Sequence, residues 1–279
     1  MAVSDTDFQF VRQLVRDDSA LVLADGKEYL VESRLASVAE REGFVSVAEL
    51  VQRVRAGAPG LRQHIVEALA THESLFFRDL HPFEALRQVI IPAALQASVG
   101  RRLTLWSAAA AAGQEAYSLA LMMREHFPGA QVTILATDLS REVLDRAESG
   151  RFSQLEVNRG LPAALLIKHF VRDGREWQLH DDVRRMVTFR QLNLAGPLSR
   201  IPPMDVVFLR NLLIYFDTQA KEALLNRVSK VLRPDGYLFL GAAETTYGLD
   251  NSYERVQVGR SICYRLTAQT RMTSGPDRR

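Results

Sequence analysis

The stretch from Leu103 to Asp138 constrains the fold more than any other part of the chain. Leu103-Thr104-Leu105-Trp106 is a short β-like run that empties into Ser107-Ala-Ala-Ala-Ala-Ala112-Gly113, and residues 114–126 then take up helical spacing through Tyr117, Leu119, Ala120 and Met123. A second apolar run, Val132-Thr-Ile-Leu-Ala-Thr-Asp138, ends in an acid, and Ser140 caps a following helix that carries Val143, Leu144 and Ala147. Strand, loop, helix, strand, helix is the order of right-handed βαβ units, so a parallel sheet is expected. The alternation returns at Asp205-Val206-Val207-Phe208-Leu209, a helix from Asp217 to Leu232, and Tyr237-Leu238-Phe239-Leu240-Gly241. Arg233-Pro234-Asp235-Gly236 reads as a helix stop and tight turn between these last two elements. Two final strands, about 253–258 and 261–266, predict a terminal antiparallel hairpin.

The flanking regions read differently. Up to residue 90 the pattern is one of short amphipathic helices: Phe10, Val11, Leu14 and Val15 share a face, as do Leu30, Val31, Leu35 and Val38. Ser46-Val47-Ala48-Glu49 has the form in which the two terminal side chains satisfy each other's backbone N–H groups, and a further helix starts at about Leu61. Between Gly150 and Asn193 the α/β alternation is interrupted. Leu161 to Phe170 looks helical, while Trp177-Gln178-Leu179 and Met186-Val187-Thr188-Phe189-Arg190 alternate like short antiparallel strands, which predicts a small inserted β-subdomain at about 151–192. The expected organisation is a helical domain at 1–90, a sheet domain at 91–266 containing that insertion, and a disordered polar tail at 267–279.

Composition excludes several classes. The formal charge of +2 divides into −4 over residues 1–90 and +6 over the rest, with no dense Lys/Arg run to suggest nucleic acid. No apolar run approaches the ~20 residues that span a bilayer, and the N-terminus lacks a basic start followed by an apolar block. With Cys263 as the single cysteine, a cytoplasmic protein is expected, without disulfides or a cysteine-rich metal site. The six histidines (64, 72, 81, 126, 169 and 180) show no ligand spacing, so no metal is expected.

Ligands of open α/β sheets bind outside the carboxyl ends of the strands. Those ends supply the small-residue segment before Gly113, then Asp138, Asn193-Leu194 and Arg210-Asn211. Asp138 follows Gly113 by 25 residues, about where a carboxylate accepts hydrogen bonds from ribose hydroxyls. Alone, the alanine run is ordinary close packing and the acid a helix cap; together and in this order they describe a nucleoside pocket. A dinucleotide oxidoreductase is the competitor, but G-x-G-x-x-G is absent. A single adenosine without phosphates demands less of the loop, and the terminal hairpin fits an S-adenosylmethionine-type sheet.

Three segments carry a resemblance. Thr71-His-Glu-Ser-Leu-Phe-Phe-Arg78-Asp79, Trp106-Ser-Ala-Ala-Ala-Ala-Ala-Gly-Gln-Glu-Ala-Tyr-Ser118 and Phe208-Leu-Arg-Asn-Leu-Leu-Ile-Tyr-Phe-Asp217 resemble, in order, the T-x-N-x-T-x-F-F-R, W-S-A-A-x-S-T-G-E/Q-E-P-Y-S and F-x-R-N-V-x-I-Y-F segments of CheR-type chemotaxis protein-glutamate O-methyltransferases. The resemblance implies a Rossmann-like class I methyltransferase sheet, an all-helical receptor-facing N-terminal domain and a small inserted antiparallel β-subdomain. It implies methyl transfer from S-adenosylmethionine to glutamates of methyl-accepting chemoreceptor helices, giving γ-methyl esters and S-adenosylhomocysteine, by a monomeric enzyme.

Carried over by position, His72, Ser74, Arg78, Gln114, Glu115, Asp138, Asn193, Leu194, Arg210 and Asn211 are the implied cofactor contacts, and Arg78 and Tyr215 the implied catalytic positions. Arg78 either orients the substrate carboxylate, holds the cofactor's carboxylate, or pairs with Asp79 or Glu73. Tyr215 either lines the methyl-transfer channel or packs as core. Here Ala111 and Ala112 replace the family's Ser and Thr, Ala116 its Pro, and His72 its Asn, so two hydroxyl donors are missing from the loop. Each such bond contributes ~0.5–1.5 kcal/mol, which keeps open a non-catalytic adaptor with weakened cofactor affinity. The chemistry itself needs no general base, because a glutamate of reference pKa about 4.3 is already an anion at neutral pH. Arg41, Arg53, Arg55 and Arg62 offer a basic face for a receptor helix, or a solvated one. The turn between Phe170 and Trp177 is shorter than in family members that dock a receptor's C-terminal peptide, which implies a peptide-independent enzyme.

Overall fold

A computed structural model describes residues 3–97, 100 and 102–273. The chain begins with four helices, α1 (Asp5–Ser19), α2 (Glu28–Arg41), α3 (Val47–Arg55) and α4 (Leu61–Leu69). With nine residues, α3 is too short to persist alone. It is held by the burial of Val47, Leu50, Val51 and Val54, each fully buried side chain of this kind contributing about 1.5–3 kcal/mol. Ser46 caps it by accepting the Glu49 N–H, but the Glu49 carboxylate accepts from Val45 rather than Ser46, so the expected exchange is only half formed.

Next come α5 (His81–Ala85), a π-helical turn (Leu86–Ile90), α6 (Ile91–Ala97), β1 (Leu103–Ser107), α7 (Gln114–His126), β2 (Val132–Asp138) and α8 (Arg141–Ser149). They are followed by β3 (Arg151–Ser153), α9 (Gln154–Asn158), α10 (Ala163–His169), β4 (Phe170–Asp173), β5 (Glu176–Leu179), α11 (Asp181–Arg184) and β6 (Val187–Gln191). The chain closes with β7 (Met204–Leu209), a 3-10 turn (Leu213–Tyr215), α12 (Thr218–Val231), β8 (Leu232–Leu240), β9 (Tyr253–Val258), β10 (Ser261–Leu266) and α13 (Ala268–Thr273).

Seven strands make one sheet in the order β6-β2-β1-β7-β8-β10-β9, parallel from β6 to β8, with β10 and β9 antiparallel. From β1 the chain proceeds to β2 on one side and later to β7 on the other, which opens a crevice at the carboxyl end of β1. β3, β5 and β4 form a separate antiparallel sheet. This is a Rossmann-like α/β fold preceded by an all-helical domain.

Four details depart from the sequence reading. The strand at Val187–Gln191 belongs to the main sheet, parallel to β2, not to the inserted subdomain. Alternation in a strand at a sheet edge is the same whether its one neighbour runs parallel or antiparallel, so the pattern could not decide. Arg233-Pro234-Asp235-Gly236 is an irregularity within β8, where the register shifts between Met204 and Val206 of β7, rather than a turn outside it. Proline cannot donate to a ladder and is tolerated at such a bulge; at Gly236 a Cβ would stand 2.8 Å from Leu232 Cδ1. Residues 76–91, expected in the helical module, pack with the sheet: Phe83 meets Phe208 at 5.4 Å, and Phe76 meets Phe152 at 5.0 Å. Finally, Ala268–Thr273 are helical where disorder was expected; 274–279 lie outside the described residues.

The helical domain docks on the sheet's other layer. Val22 N–H donates to Tyr215 O at 2.8 Å, Arg16 pairs with Asp217 at 2.7 Å, and Asp217 caps α12 by accepting the Ala220 N–H. That N–H foremost, with Arg16 assisting, holds the Asp217 carboxyl below its usual range. A depressed folded value means stabilisation that is present at neutral pH and lost as pH falls through that value. Asp217→Ala is therefore expected to cost about 1 kcal/mol at neutral pH and much less in acid, measured by urea unfolding at both pH values.

Candidate functional site

The crevice at the carboxyl ends of β1, β2, β6 and β7 is a cleft of about 640 Å³ including its open mouth. The sheet contributes Ala108, Ala111, Asp138, Asn193, Leu194, Arg210 and Asn211; the helical domain closes it with Ser19, Leu21 and the segment from Ala70 to Glu73. Of the residues singled out from sequence, His72, Asp138, Asn193, Leu194, Arg210, Asn211 and Tyr215 share this lining, while Ser74, Arg78, Gln114 and Glu115 stand outside it. Sequence reasoning missed Ser19 and Leu21. They sit beside the left-handed Ala20 that ends α1 (φ 61), and only the docking of α1 beside α12 brings them here.

Asp138 is the most constrained group in the cleft. Its Oδ2 accepts the Ala111 N–H at 2.9 Å and its Oδ1 the Ser140 N–H at 3.1 Å. A carboxylate has about four acceptor positions, so these two leave others free. His72 Nε2 lies 3.3 Å from Asp138 Oδ1 without hydrogen-bond alignment, and is buried with no hydrogen-bond partner. An orphaned buried nitrogen beside a carboxylate with spare acceptor positions is an arrangement that a polar ligand completes.

The alanine run is shaped by the backbone. Ala108 N–H donates to Phe208 O at 2.8 Å and Ala110 N–H to Thr137 O at 2.9 Å, tying the loop to both neighbouring strands. Ala111 adopts a left-handed φ of 47, which turns its N–H toward Asp138. Gly113, at φ 89, packs where a Cβ would stand 3.0 Å from Ala147 Cβ and 3.2 Å from the Phe189 and Tyr117 rings. The hydroxyls missing at 111 and 112 are thus not what orients Asp138.

Beneath the cleft floor is a buried charge network. Arg210, 1% exposed in its side chain, donates to Glu115 at 3.0 Å, to Asp79 at 2.5 Å and to the Arg78 carbonyl at 3.0 Å; Ser107 Oγ donates to the other Glu115 oxygen at 2.7 Å. Both Glu115 oxygens are therefore engaged within the protein. Arg78 pairs with neither acid considered from sequence, since Asp79 is taken by Arg210 and Glu73 by Arg159. Among the described residues Arg78 has no ion-pair partner. Tyr215 lines the cleft and also packs against the core formed with α1 and α12. Among the described residues there is no group of three or more His, Cys, Asp or Glu suited to a metal, and no helix is long and apolar enough to cross a membrane.

The arginines of the helical domain are mostly neutralised. Arg41 pairs with Glu42 and Glu142, Arg55 with Asp7, and Arg62 with Asp18. Arg53 alone of the four has no ion-pair partner among the described residues.

Comparison with known proteins bears on both parts of the chain. Residues 6–70 match the family described as CheR methyltransferase, all-alpha domain, and residues 72–262 the one described as CheR methyltransferase, SAM binding domain. The chain is 40% identical over 272 residues to chemotaxis protein methyltransferase 1 of Pseudomonas aeruginosa, covering 95% of this chain and 99% of that protein. It is 39% identical over 274 residues to chemotaxis protein methyltransferase Cher2 of Pseudomonas putida, with coverage of 95% and 99%. Chemotaxis protein methyltransferase 1 of Vibrio cholerae is 36% identical over 274 residues, with coverage of 95% and 98%.

Proposed function

This chain belongs to the CheR methyltransferase family, with an S-adenosylmethionine-binding domain, and from that premise we propose that it methylates glutamate side chains of chemoreceptor helices. The observation that carries the reading is the Asp138 carboxylate, anchored by the Ala111 and Ser140 N–H groups and facing the cleft beside the unpartnered His72 Nε2. These groups fit a nucleoside: Asp138 would accept from the ribose hydroxyls, while Leu139, Leu192 and Leu194 offer apolar surface to a base. When bound, S-adenosylmethionine supplies an electrophilic methyl group activated by its sulfonium.

The protein's own contribution is binding, orientation and exclusion of water. Ser19, Leu21 and Ala70, from the helical domain, roof the cleft against solvent. Tyr215, on the 3-10 turn after β7, lines the cleft and in this reading would stand beside the acceptor side chain. An acceptor glutamate is ionised at neutral pH, so no residue need remove a proton, and alignment alone supplies up to ~7–11 kcal/mol. Arg78 stands outside the cleft lining; half-buried and without an ion-pair partner among the described residues, it would be a cation for an incoming carboxylate at the cleft's edge. The adaptor reading is the weaker one: both family models match, and the chain is 40% identical over 95% of its length to a chemotaxis protein methyltransferase, so two absent hydroxyls are set against a chain alike throughout.

Incubation with methyl-labelled cofactor and chemoreceptor cytoplasmic domains is expected to put base-labile label on receptor, abolished by replacing the acceptor glutamates. Label that survives mild base, or none on any receptor of the same organism, would overturn the substrate assignment.

A further inference from the structure

We propose that Glu244, in the loop after β8, is a positioning residue for the methyl-transfer site, an inference that rests on reading the cleft as that site. Its carboxylate gathers three backbone N–H groups from two separate segments. Oε2 accepts from Gly241 at 2.6 Å and from Asn211 at 2.8 Å, and Oε1 accepts from Ile214 at 3.3 Å. Asn211 and Ile214 lie on the turn leaving β7, the same turn that carries Asn211, Leu212 and Tyr215 into the cleft. Glu244 itself does not line the cleft.

The turn needs such a restraint. Asn211 sits in the left-handed region at φ 57, which asparagine tolerates better than other residues with a side chain but does not adopt by preference. The bond from its N–H to Glu244 fixes the peptide at that point. Gly241 shows how tightly the two segments meet: a Cβ there would stand 2.7 Å from Glu244 Oε2, 2.8 Å from Asn211 Nδ2 and 2.9 Å from Asn211 N. The carboxylate and the Asn211 amide thus occupy the space a side chain at 241 would require. A charged acceptor serving two part-buried N–H groups is among the stronger hydrogen-bonding arrangements, and its loss leaves the Asn211 and Gly241 donors without that partner, while the exposed Ile214 N–H can turn to water.

A mere loop cap would stabilise the fold and leave ligand constants alone, whereas a positioning residue moves them. The test compares wild type with Glu244→Ala, Glu244→Gln and Gly241→Ala, using calorimetric titration with S-adenosylhomocysteine, receptor methylation and thermal melting. Glu244→Ala is expected to raise the Kd and the cofactor KM about tenfold or more in the folded protein, and to lower kcat. Glu244→Gln, which keeps one oxygen for the Asn211 and Gly241 donors, is expected to recover most of the loss. Gly241→Ala, which pushes the carboxylate out of its seat, is expected to reproduce the alanine phenotype and serves if Glu244→Ala does not fold. A lowered melting temperature with wild-type Kd, KM and kcat would overturn the proposal. Wild-type protein that binds S-adenosylhomocysteine but methylates no receptor would sink the substrate assignment alone, and the affinity series would still decide on Glu244.

Discussion

Asp138→Ala is expected to weaken binding of S-adenosylhomocysteine by at least about 100-fold, with methyl transfer falling in step at limiting cofactor. Hydrogen bonds to a charged acceptor contribute about 1.5–3 kcal/mol each, and a ribose offers two hydroxyls, so the ligand term alone reaches that range. The substitution also frees the loop. Ala111 N–H and Ser140 N–H both end on this carboxylate, and Ala111, at φ 47, has no local preference that would keep it where it is. Asp138→Asn separates the two contributions. Its single oxygen can serve the loop or the ligand, while its amide nitrogen must face one of the two backbone donors, so an intermediate affinity is expected. Calorimetry gives the affinities and a thermal melt the fold. Wild-type affinity in a folded Asp138→Ala protein would remove Asp138 from the cofactor site.

The carboxylate's place at the end of β2 was legible because a parallel strand ending in an acid at a switch point has few alternatives in an open α/β sheet. The same logic reached Asn193, Leu194, Arg210 and Asn211, each just beyond a strand. It did not reach Ser19 or Leu21, whose signal is a helix end in another domain, nor Glu244, an unremarkable acid in a polar loop until the bulged β8 and the turn after β7 are brought together. Glu115 shows the converse. Its position in a motif marks it as important, but spacing cannot say that both its oxygens turn inward to Ser107 and Arg210. In the fold, helices and inner strands were readable from period and burial. The errors fell on β6, whose edge position hides its direction, on β8, where Pro234 and Gly236 look like a turn but form a bulge, on 76–91, whose helices pack with the sheet, and on Ala268–Thr273, helical despite their polarity.

Arg210 is the residue whose loss should cost the fold most. Its guanidinium is 1% exposed and Glu115 is 11% exposed, so Arg210→Met leaves a buried carboxylate without its cation; about 3–5 kcal/mol of stability is expected to be lost, measured by urea unfolding. Asp79, 46% exposed, is screened by water, and Asp79→Asn is expected to change stability by less than about 1 kcal/mol. Pairing Arg210→Met with Glu115→Gln should restore part of the loss, because the cost lies in the uncompensated charge rather than in the missing contact. A loss that is unchanged in the double variant would assign it to packing instead. Arg210 also restrains the segment that carries Arg78. Phe77, Asp79 and Leu80 all have positive φ, at 47, 63 and 43. They are held there by the bond from Arg210 to the Arg78 carbonyl, by the Phe77 N–H donating to Ser118 Oγ, and by Gly160, where a Cβ would stand 2.0 Å from Phe76 O. Residues in such conformations persist only where their surroundings over-determine them. Arg210→Met is therefore expected to speed amide exchange across 77–80 before it does so in β7. The backbone that carries Arg78 then depends on a buried arginine bonded directly to its carbonyl.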